Sequence, residues 1–128
     1  MESGQRILIV EDSTIQREVL RRLLSKAGYN ALAARDGAEG LAMAREYHPR
    51  VVVSDIAMPF EDGYSLIQRV RAREAISPAP MKMLPAIALT GHAKPSDEGR
   101  ALAAGFQMHF AKPVAPAALL RAIASLTR

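Results

Sequence analysis

The residues of this sequence that could do chemistry are three carboxylates, a hydroxyl and an amine, each found where a short apolar run ends. They are Glu11, Asp12, Asp55, Thr90 and Lys112. Carboxylates that crowd together repel one another, and the repulsion raises the pKa of at least one of them. A hard divalent cation relieves the repulsion. Mg²⁺ fits best, because it takes oxygen ligands, keeps several waters and binds phosphate.

The amine and the hydroxyl add the groups that bind an anion. Lys112 supplies a positive charge and Thr90 a hydroxyl donor, so the cluster predicts a pocket for a small tetrahedral oxyanion. Asp55 is then either a metal ligand only or the nucleophile that takes up a phosphoryl group. In the plainer interpretation the acids start a helix, where the macrodipole favours them, and the other two residues are surface positions. Their joint occurrence after four apolar runs favours a shared site.

The elements that must position these residues are five strand–helix units. Short apolar runs predict strands, and apolar residues that recur every 3.6 positions predict helices between them. The predicted strands cover 6–10, 30–34, 51–54, 86–89 and 108–111. The predicted helices are an apolar stripe through Ile15, Val19, Leu20, Leu23, Leu24 and Ala27 that stops at Gly28, a segment capped by Asp36 and closed by Pro49, one around Leu66–Val70, one over about 96–104, and one over 116–126.

This alternation predicts an α/β fold with a parallel sheet covered by helices on both faces. The carboxyl ends of parallel strands lie at one edge of such a sheet, where these folds bind ligands. Residues 11, 12, 55, 90 and 112 are therefore expected to converge. The one long irregular segment covers 74–85 and holds three prolines. It is expected to be a surface loop, with a partner contact as the alternative.

Length and composition place the chain among globular domains. Its 128 residues suffice for one domain, 1–128, with an ordered core over about 5–126. It has no cysteine and no apolar stretch near the roughly 20 residues of a membrane helix. The first residues, "MESGQR", lack the apolar core of a signal peptide, so we expect a cytoplasmic protein.

The excess of basic over acidic residues raises the question of whether the protein binds nucleic acid. The formal net charge is +4, but the arginines are spread along the chain and the six aromatic residues are not interleaved with them. Solvated helix faces explain this charge more simply. We therefore expect no direct nucleic-acid partner and no membrane partner.

Four motifs, in this order, resemble those of response-regulator receiver domains of two-component signalling: "ILIVEDS", "DIAMPFEDG", "PAIALTGHA" and "AKPV". The resemblance covers essentially the whole chain. It implies a flavodoxin-like (βα)5 doubly wound sheet in the strand order 2-1-3-4-5. It also implies a phosphorelay function, with Mg²⁺ as the cofactor and a histidine kinase or histidine phosphotransfer protein as the donor.

The resemblance assigns the acidic residues. Asp55 matches the phosphoacceptor, which takes a phosphoryl group from a phosphohistidine. Glu11 and Asp12 match the acidic pair that holds Mg²⁺, with Asp55 and the backbone carbonyl of Ala57 as the other protein ligands. Gly63 matches part of the tight turn after the phosphoacceptor.

The resemblance also assigns roles to the lysine, the threonine and the histidine near the pocket. Lys112 matches the lysine that pairs with the phosphoryl oxygens, and a cis peptide bond is implied between Lys112 and Pro113. Thr90 matches the hydroxyl that moves to bind the phosphoryl group. The family usually has Tyr or Phe three residues before the lysine, where this chain has His109. His109 is either a smaller-ring version of that switch residue or a passive surface histidine.

The implied function is that of a switch and not of an enzyme, apart from promoting its own phosphorylation and dephosphorylation. A downstream partner would bind the face formed by the fourth helix, fifth strand and fifth helix. The chain is either a stand-alone regulator or the receiver of a hybrid histidine kinase, which its "LPAIALTGHA" and "HFAKPV" segments resemble. The alternative is a small Mg²⁺-dependent phosphatase-like enzyme, but "VEDST" lacks the DxD pattern of haloacid-dehalogenase-type phosphatases. A flavodoxin would have a Ser/Thr/Gly-rich loop there instead of acids.

Overall fold

The computed structural model describes residues 4–56, 63–76, 83–91 and 95–127. Within these residues, five strands alternate with five helices. The strands are β1 (Arg6–Val10), β2 (Asn30–Ala34), β3 (Val51–Asp55), β4 (Ala86–Thr90) and β5 (Met108–Ala111). The helices are α1 (Thr14–Lys26), α2 (Gly37–Tyr47), α3 (Gly63–Ala75), α4 (Pro95–Ala104) and α5 (Pro116–Thr127).

The strands form a single parallel sheet in the order β2-β1-β3-β4-β5. This confirms the predicted α/β fold and the strand order that the resemblance implies. β1, β3 and β4 occupy the middle of the sheet, where both faces are covered. Their continuous runs of Val, Ile, Leu and Ala are the composition expected of strands that are buried on both sides.

Alternate residues of the central strands pack into two separate cores, because successive side chains of a strand point to opposite faces. Ile7, Ile9, Val51 and Val53 pack with Leu24, Leu119 and Ile123 of α1 and α5. Leu8, Val10 and Val52 pack on the other face with Leu66, Ile67 and Phe106. The sheet is therefore packed between two helical layers, and this packing fixes the backbone of the residues at its edge.

Side chains cap the first two helices by accepting hydrogen bonds, and the cap of the second helix is the Asp36 that the sequence predicts. Ser13 caps α1 by accepting a hydrogen bond from the backbone N–H of Gln16. Asp36 caps α2 by accepting from the N–H of Glu39 at 2.8 Å. The N–H of Arg35 in turn donates to the Glu39 carboxylate, one residue before the donor of a standard capping box. Among the described residues, no helix is long and apolar enough to cross a membrane.

The structure adds one detail to the sequence-based prediction and corrects another. The apolar stripe of α1 is wider than its buried face, so Ile15 and Val19 stand in solvent, with 78% and 61% of their surface exposed. The predicted irregular segment starts too early, because Glu74 and Ala75 belong to α3. Residues 77–82 of that segment lie outside the described part of the chain. A helical period shows which residues can share a face, but not how much of that face a neighbour covers.

Candidate functional site

The candidate site lies at the carboxyl edge of the sheet, where four neighbouring strands deliver one polar residue or pair each. Glu11 and Asp12 follow β1, Asp55 ends β3, Thr90 ends β4 and Lys112 follows β5. The backbone ladder continues just past the strands: the N–H of Glu11 donates to Ala34, that of Ile56 to Leu89 and that of Lys112 to Thr90. The five predicted residues therefore meet at one rigid edge.

The three carboxylates form a compact group. One oxygen from each of Glu11, Asp12 and Asp55 lies within 4.8 Å of the other two. Glu11 and Asp55 are buried, with 1% and 5% of their surface exposed, whereas Asp12 is open to solvent. Burial raises the pKa of the Glu11 carboxyl, and the nearby charge of Asp55 raises it further, although a hydrogen bond from Lys112 acts in the opposite direction. This oxygen-only set, reachable through Asp12, suits a hard cation such as Mg²⁺.

Lys112 is the counter-ion of this acidic group. Its Nζ donates to Glu11 Oε1 at 2.8 Å and lies 3.1 Å from Asp55 Oδ2. Burial tends to lower the pKa of Lys112, but its hydrogen bonds with the two carboxylates outweigh that effect and raise the pKa. Lys112 therefore remains a cation beside Asp55.

Lys112 has a further partner that sequence reasoning missed. Its Nζ also donates to Gln16 Oε1 at 2.8 Å, although the two residues are 96 positions apart in the chain. Gln16 lies in the first turn of α1, which starts two residues after Asp12, so its position in the sequence could have placed it near the acidic pair. The only local pattern at Gln16 is the capping-box spacing with Ser13, which points to a bond within α1 and not to Lys112.

Thr90 and His109 lie on the same face of the sheet, towards α3 and α4. Thr90 is buried, and its backbone carbonyl accepts from the N–H of Lys112 at 2.7 Å. His109 pairs with Ala88 in the β4–β5 register, two residues before the Thr90–Ala111 pair. Among the described residues, His109 Nε2 is buried without a hydrogen-bond partner. Such a nitrogen costs about 1–3 kcal/mol, so a rearrangement that offered it a partner would be favoured.

Gly63 shows how tightly the chain passes the candidate phosphoacceptor. A Cβ atom added there would lie 2.6 Å from the backbone oxygen of Asp55 and 3.0 Å from the Cα of Ile56. The N–H of Gly63 donates to the carbonyl of Ile56 at 2.9 Å. Only glycine allows α3 to start so close to the end of β3, which fixes the backbone of Asp55.

Of two other positions that the resemblance assigns, the structure describes one. The peptide bond between Lys112 and Pro113 is cis. Ala57, whose carbonyl the resemblance assigns to the metal, lies outside the described residues. Ser54, which the sequence did not single out, is fully buried and its hydroxyl donates to the carbonyl of Asp55 at 2.9 Å.

Known proteins share both the sequence pattern and the fold. Residues 7–124 match the profile of the response regulator receiver domain. The chain is 29% identical over 119 residues to the polar-differentiation response regulator DivK of Brucella abortus, with 93% of each chain covered. It is 34% identical over 115 residues to hybrid signal transduction histidine kinase D of Dictyostelium discoideum, covering 87% of this chain but only 7% of that protein.

The crystal structure of the chemotaxis protein CheY4 of Vibrio cholerae superposes with a TM-score of 0.85 at 29% identity, covering 96% of this chain and 98% of the other. The profile match spans nearly the whole described fold and includes every strand that feeds the acidic edge. The chain belongs to the response regulator receiver domain family.

Proposed function

We propose that Asp55 is the phosphoacceptor of this receiver and takes a phosphoryl group from a phosphohistidine. Receiver domains interact with histidine kinases or phosphotransfer proteins, and they are generally signalling domains and not enzymes. The observation that carries the proposal is the position of Asp55: a buried carboxylate at the sheet edge, 3.1 Å from the Lys112 ammonium and beside two further acids. Family membership does not favour the phosphatase-like alternative.

The transfer itself requires little of the protein beyond positioning and charge compensation. An oxygen of Asp55 attacks phosphorus, the O–P bond forms as the P–N bond of the donor breaks, and the imidazole leaves with the electron pair of that bond. Asp55 is fixed for this attack by the β3 ladder and by Ser54, which bonds its carbonyl. Lys112 is close enough to compensate the charge on the phosphoryl oxygens.

The acidic group fits the Mg²⁺ that receiver domains use. Glu11, Asp12 and Asp55 would hold the ion, with the backbone carbonyl of Ala57 as the further protein ligand. When bound, Mg²⁺ neutralises charge on the phosphoryl oxygens and the carboxylates. The geometry supports this assignment, because three carboxylates lie within 4.8 Å of one another and the single ammonium of Lys112 cannot balance all three charges.

The switch would run from Thr90 to His109. We propose that the Thr90 hydroxyl moves to the phosphoryl group, and that His109 then takes up the space and the hydrogen-bonding opportunity that this movement opens. The shared face of the two residues and the unpartnered Nε2 of His109, among the described residues, support this route. A downstream partner would bind the α4–β5–α5 face, where Leu102 is 47% exposed, and its affinity would depend on this change.

The donor would dock beside the first turn of α1. Ile15 and Val19 are apolar, exposed and one turn apart, and α1 starts next to Glu11 and Asp12. Exposed apolar side chains that adjoin a polar site favour a protein contact. We propose the whole of 1–128 as one receiver domain. Its parent is either a stand-alone regulator, like DivK in length, or a hybrid kinase.

Intact-mass measurement tests the proposed function. The folded chain is incubated with acetyl phosphate and Mg²⁺, and one phosphoryl adduct is expected in the wild type and none in Asp55→Asn. Asn is nearly isosteric with Asp, so the variant retains the shape of the site without its nucleophile. A wild type that stays unmodified with Mg²⁺ and a competent donor, or an equal adduct in Asp55→Asn, would refute the proposal.

A further inference from the structure

The Lys112 ammonium has three N–H donors, and each has an acceptor in this structure. The acceptors are Glu11 Oε1 at 2.8 Å, Gln16 Oε1 at 2.8 Å and Asp55 Oδ2 at 3.1 Å. The two carboxylates belong to the site already described. Gln16 is neutral and comes from α1, so it binds Lys112 from outside the acidic group.

At the start of α1, the side chain of Gln16 does not make the local hydrogen bond that its position in the helix allows. Ser13 and Gln16 have the spacing of a capping box, in which the glutamine side chain would accept from the N–H of Ser13. Half of the box is formed, because the N–H of Gln16 donates to Ser13 Oγ at 3.3 Å. The other half is not: the N–H of Ser13 donates to Glu11 Oε2 at 3.1 Å. Glu11 thus takes the place of Gln16 in the cap and leaves the amide oxygen to Lys112.

We propose that Gln16 is a positioning residue for the phosphoryl-binding lysine. Phosphorylation converts the Asp55 carboxylate into an acyl phosphate and removes the charge of the carboxylate itself, so the Asp55 bond is the one that Lys112 gives up for a phosphoryl oxygen. The bonds to Gln16 and Glu11 hold the ammonium in reach during that exchange. Lysine has a flexible four-carbon stem, so an ammonium without its outer anchor spends less time in the productive position.

Loss of the contact between Gln16 and Lys112 should therefore lower the rate of Asp55 phosphorylation without weakening the binding of the phosphodonor. Gln16→Met retains the length of the side chain and removes the acceptor. The maximal rate of Asp55 phosphorylation by acetyl phosphate is expected to fall about three- to tenfold, the loss expected from one hydrogen bond of modest net strength. The donor concentration at half-maximal rate is expected to stay unchanged. Gln68→Met, the same change at an exposed glutamine of α3, is the matched control and should behave as the wild type.

A second measurement reports on the contact without any phosphorylation, which matters because the inference rests on the proposed function. In ¹⁵N NMR spectra of the unphosphorylated protein, the Lys112 Nζ signal should shift in Gln16→Met and not in Gln68→Met. An unchanged signal refutes the positioning role. With the signal shifted, a maximal rate within twofold of the wild type also refutes it. If the wild type forms no adduct at all, the proposed function fails, and the NMR comparison still decides whether Gln16 positions Lys112.

Discussion

At the scale of single residues, the site consists of charged groups whose burial would be unfavourable for each alone and becomes acceptable because opposite charges lie side by side. Asp55 and Glu11 are buried carboxylates, and Lys112 compensates both. His109 is the exception, since among the described residues its buried Nε2 has no partner in this state. A residue that stays unsatisfied in one state is suited to a switch, because a second arrangement can satisfy it.

His109→Phe separates the cost of that nitrogen from the role of the ring. Phenylalanine fills a similar space without the unpartnered Nε2, so the free energy of unfolding should rise by about 1 kcal/mol. Urea denaturation of the unphosphorylated protein measures this. No gain, or a loss, would show that Nε2 is satisfied in solution.

His109→Ala tests the switch itself. Acetyl phosphate should still phosphorylate Asp55 to nearly the wild-type extent, because His109 lies in β5 opposite Ala88, two residues before the end of β4. The amide NMR shifts that phosphorylation causes in α4 and α5 should become smaller, because the variant lacks the ring that we propose links Thr90 to that face. Shifts of wild-type size would contradict the coupling.

At the scale of elements, the site depends on junctions where one element starts close to the end of another. Gly63→Ala puts a Cβ against the backbone of Asp55, so it should lower stability by about 2 kcal/mol and slow phosphorylation. Gly99→Ala is the matched control, because it lies in α4 with open space around the added Cβ. It should raise stability by about 0.5–1 kcal/mol. Thermal unfolding of both variants checks this, and similar shifts in the same direction would contradict it.

A polar network ties the end of α3 to the segments around β4 and β5. Arg71 donates to Glu74 and to the carbonyl of Gly105, Glu74 accepts from the N–H of Leu84, and Gln107 accepts from the N–H of Ala86. The side chains of Arg71 and Glu74 are only 18% and 13% exposed. Partners this buried hold Leu84, just before β4, and Gly105, which follows α4, in place.

Arg71→Met should therefore lower the free energy of unfolding by about 2–3 kcal/mol, since it leaves the Glu74 carboxylate without its cation and the Gly105 carbonyl without its side-chain donor. Arg22→Met removes the exposed pair with Glu18, where Arg22 is 77% exposed, and should cost less than about 0.5 kcal/mol. Chemical denaturation of the two variants gives the comparison. Equal losses in the free energy of unfolding would mean that the buried network stabilises the fold no more than the exposed pair does.

At the scale of the whole molecule, the sequence could predict what hydrophobic periodicity and the alternation of strands and helices determine. Those two features predict a parallel sheet with Glu11, Asp12, Asp55, Thr90 and Lys112 at its carboxyl edge, whereas the strand order came from the resemblance. They could not reveal contacts that depend on the pose of a side chain. The diversion of Gln16 from its cap to Lys112 is of this kind, because "STIQ" reads locally as a capping box. The exposure of Ile15 was missed because it depends on which neighbours cover α1.

The acidic edge also makes the stability of the whole molecule depend on a cation. Three carboxylates share one edge, and Lys112 supplies a single positive charge against them, so a bound divalent ion should stabilise the folded state by RT ln(1 + [ion]/Kd). At ten times the Kd this is about 1.4 kcal/mol. Thermal unfolding in increasing MgCl₂ should show a rising Tm, and NaCl of equal ionic strength should not reproduce the rise. Asp12→Asn, which changes the exposed ligand and no buried one, should remove most of the Mg²⁺-dependent part while folding normally. An Mg²⁺ response that persists unchanged in Asp12→Asn would place the ion elsewhere on the chain, because the acidic group cannot lose one of its three negative charges and bind the ion equally well.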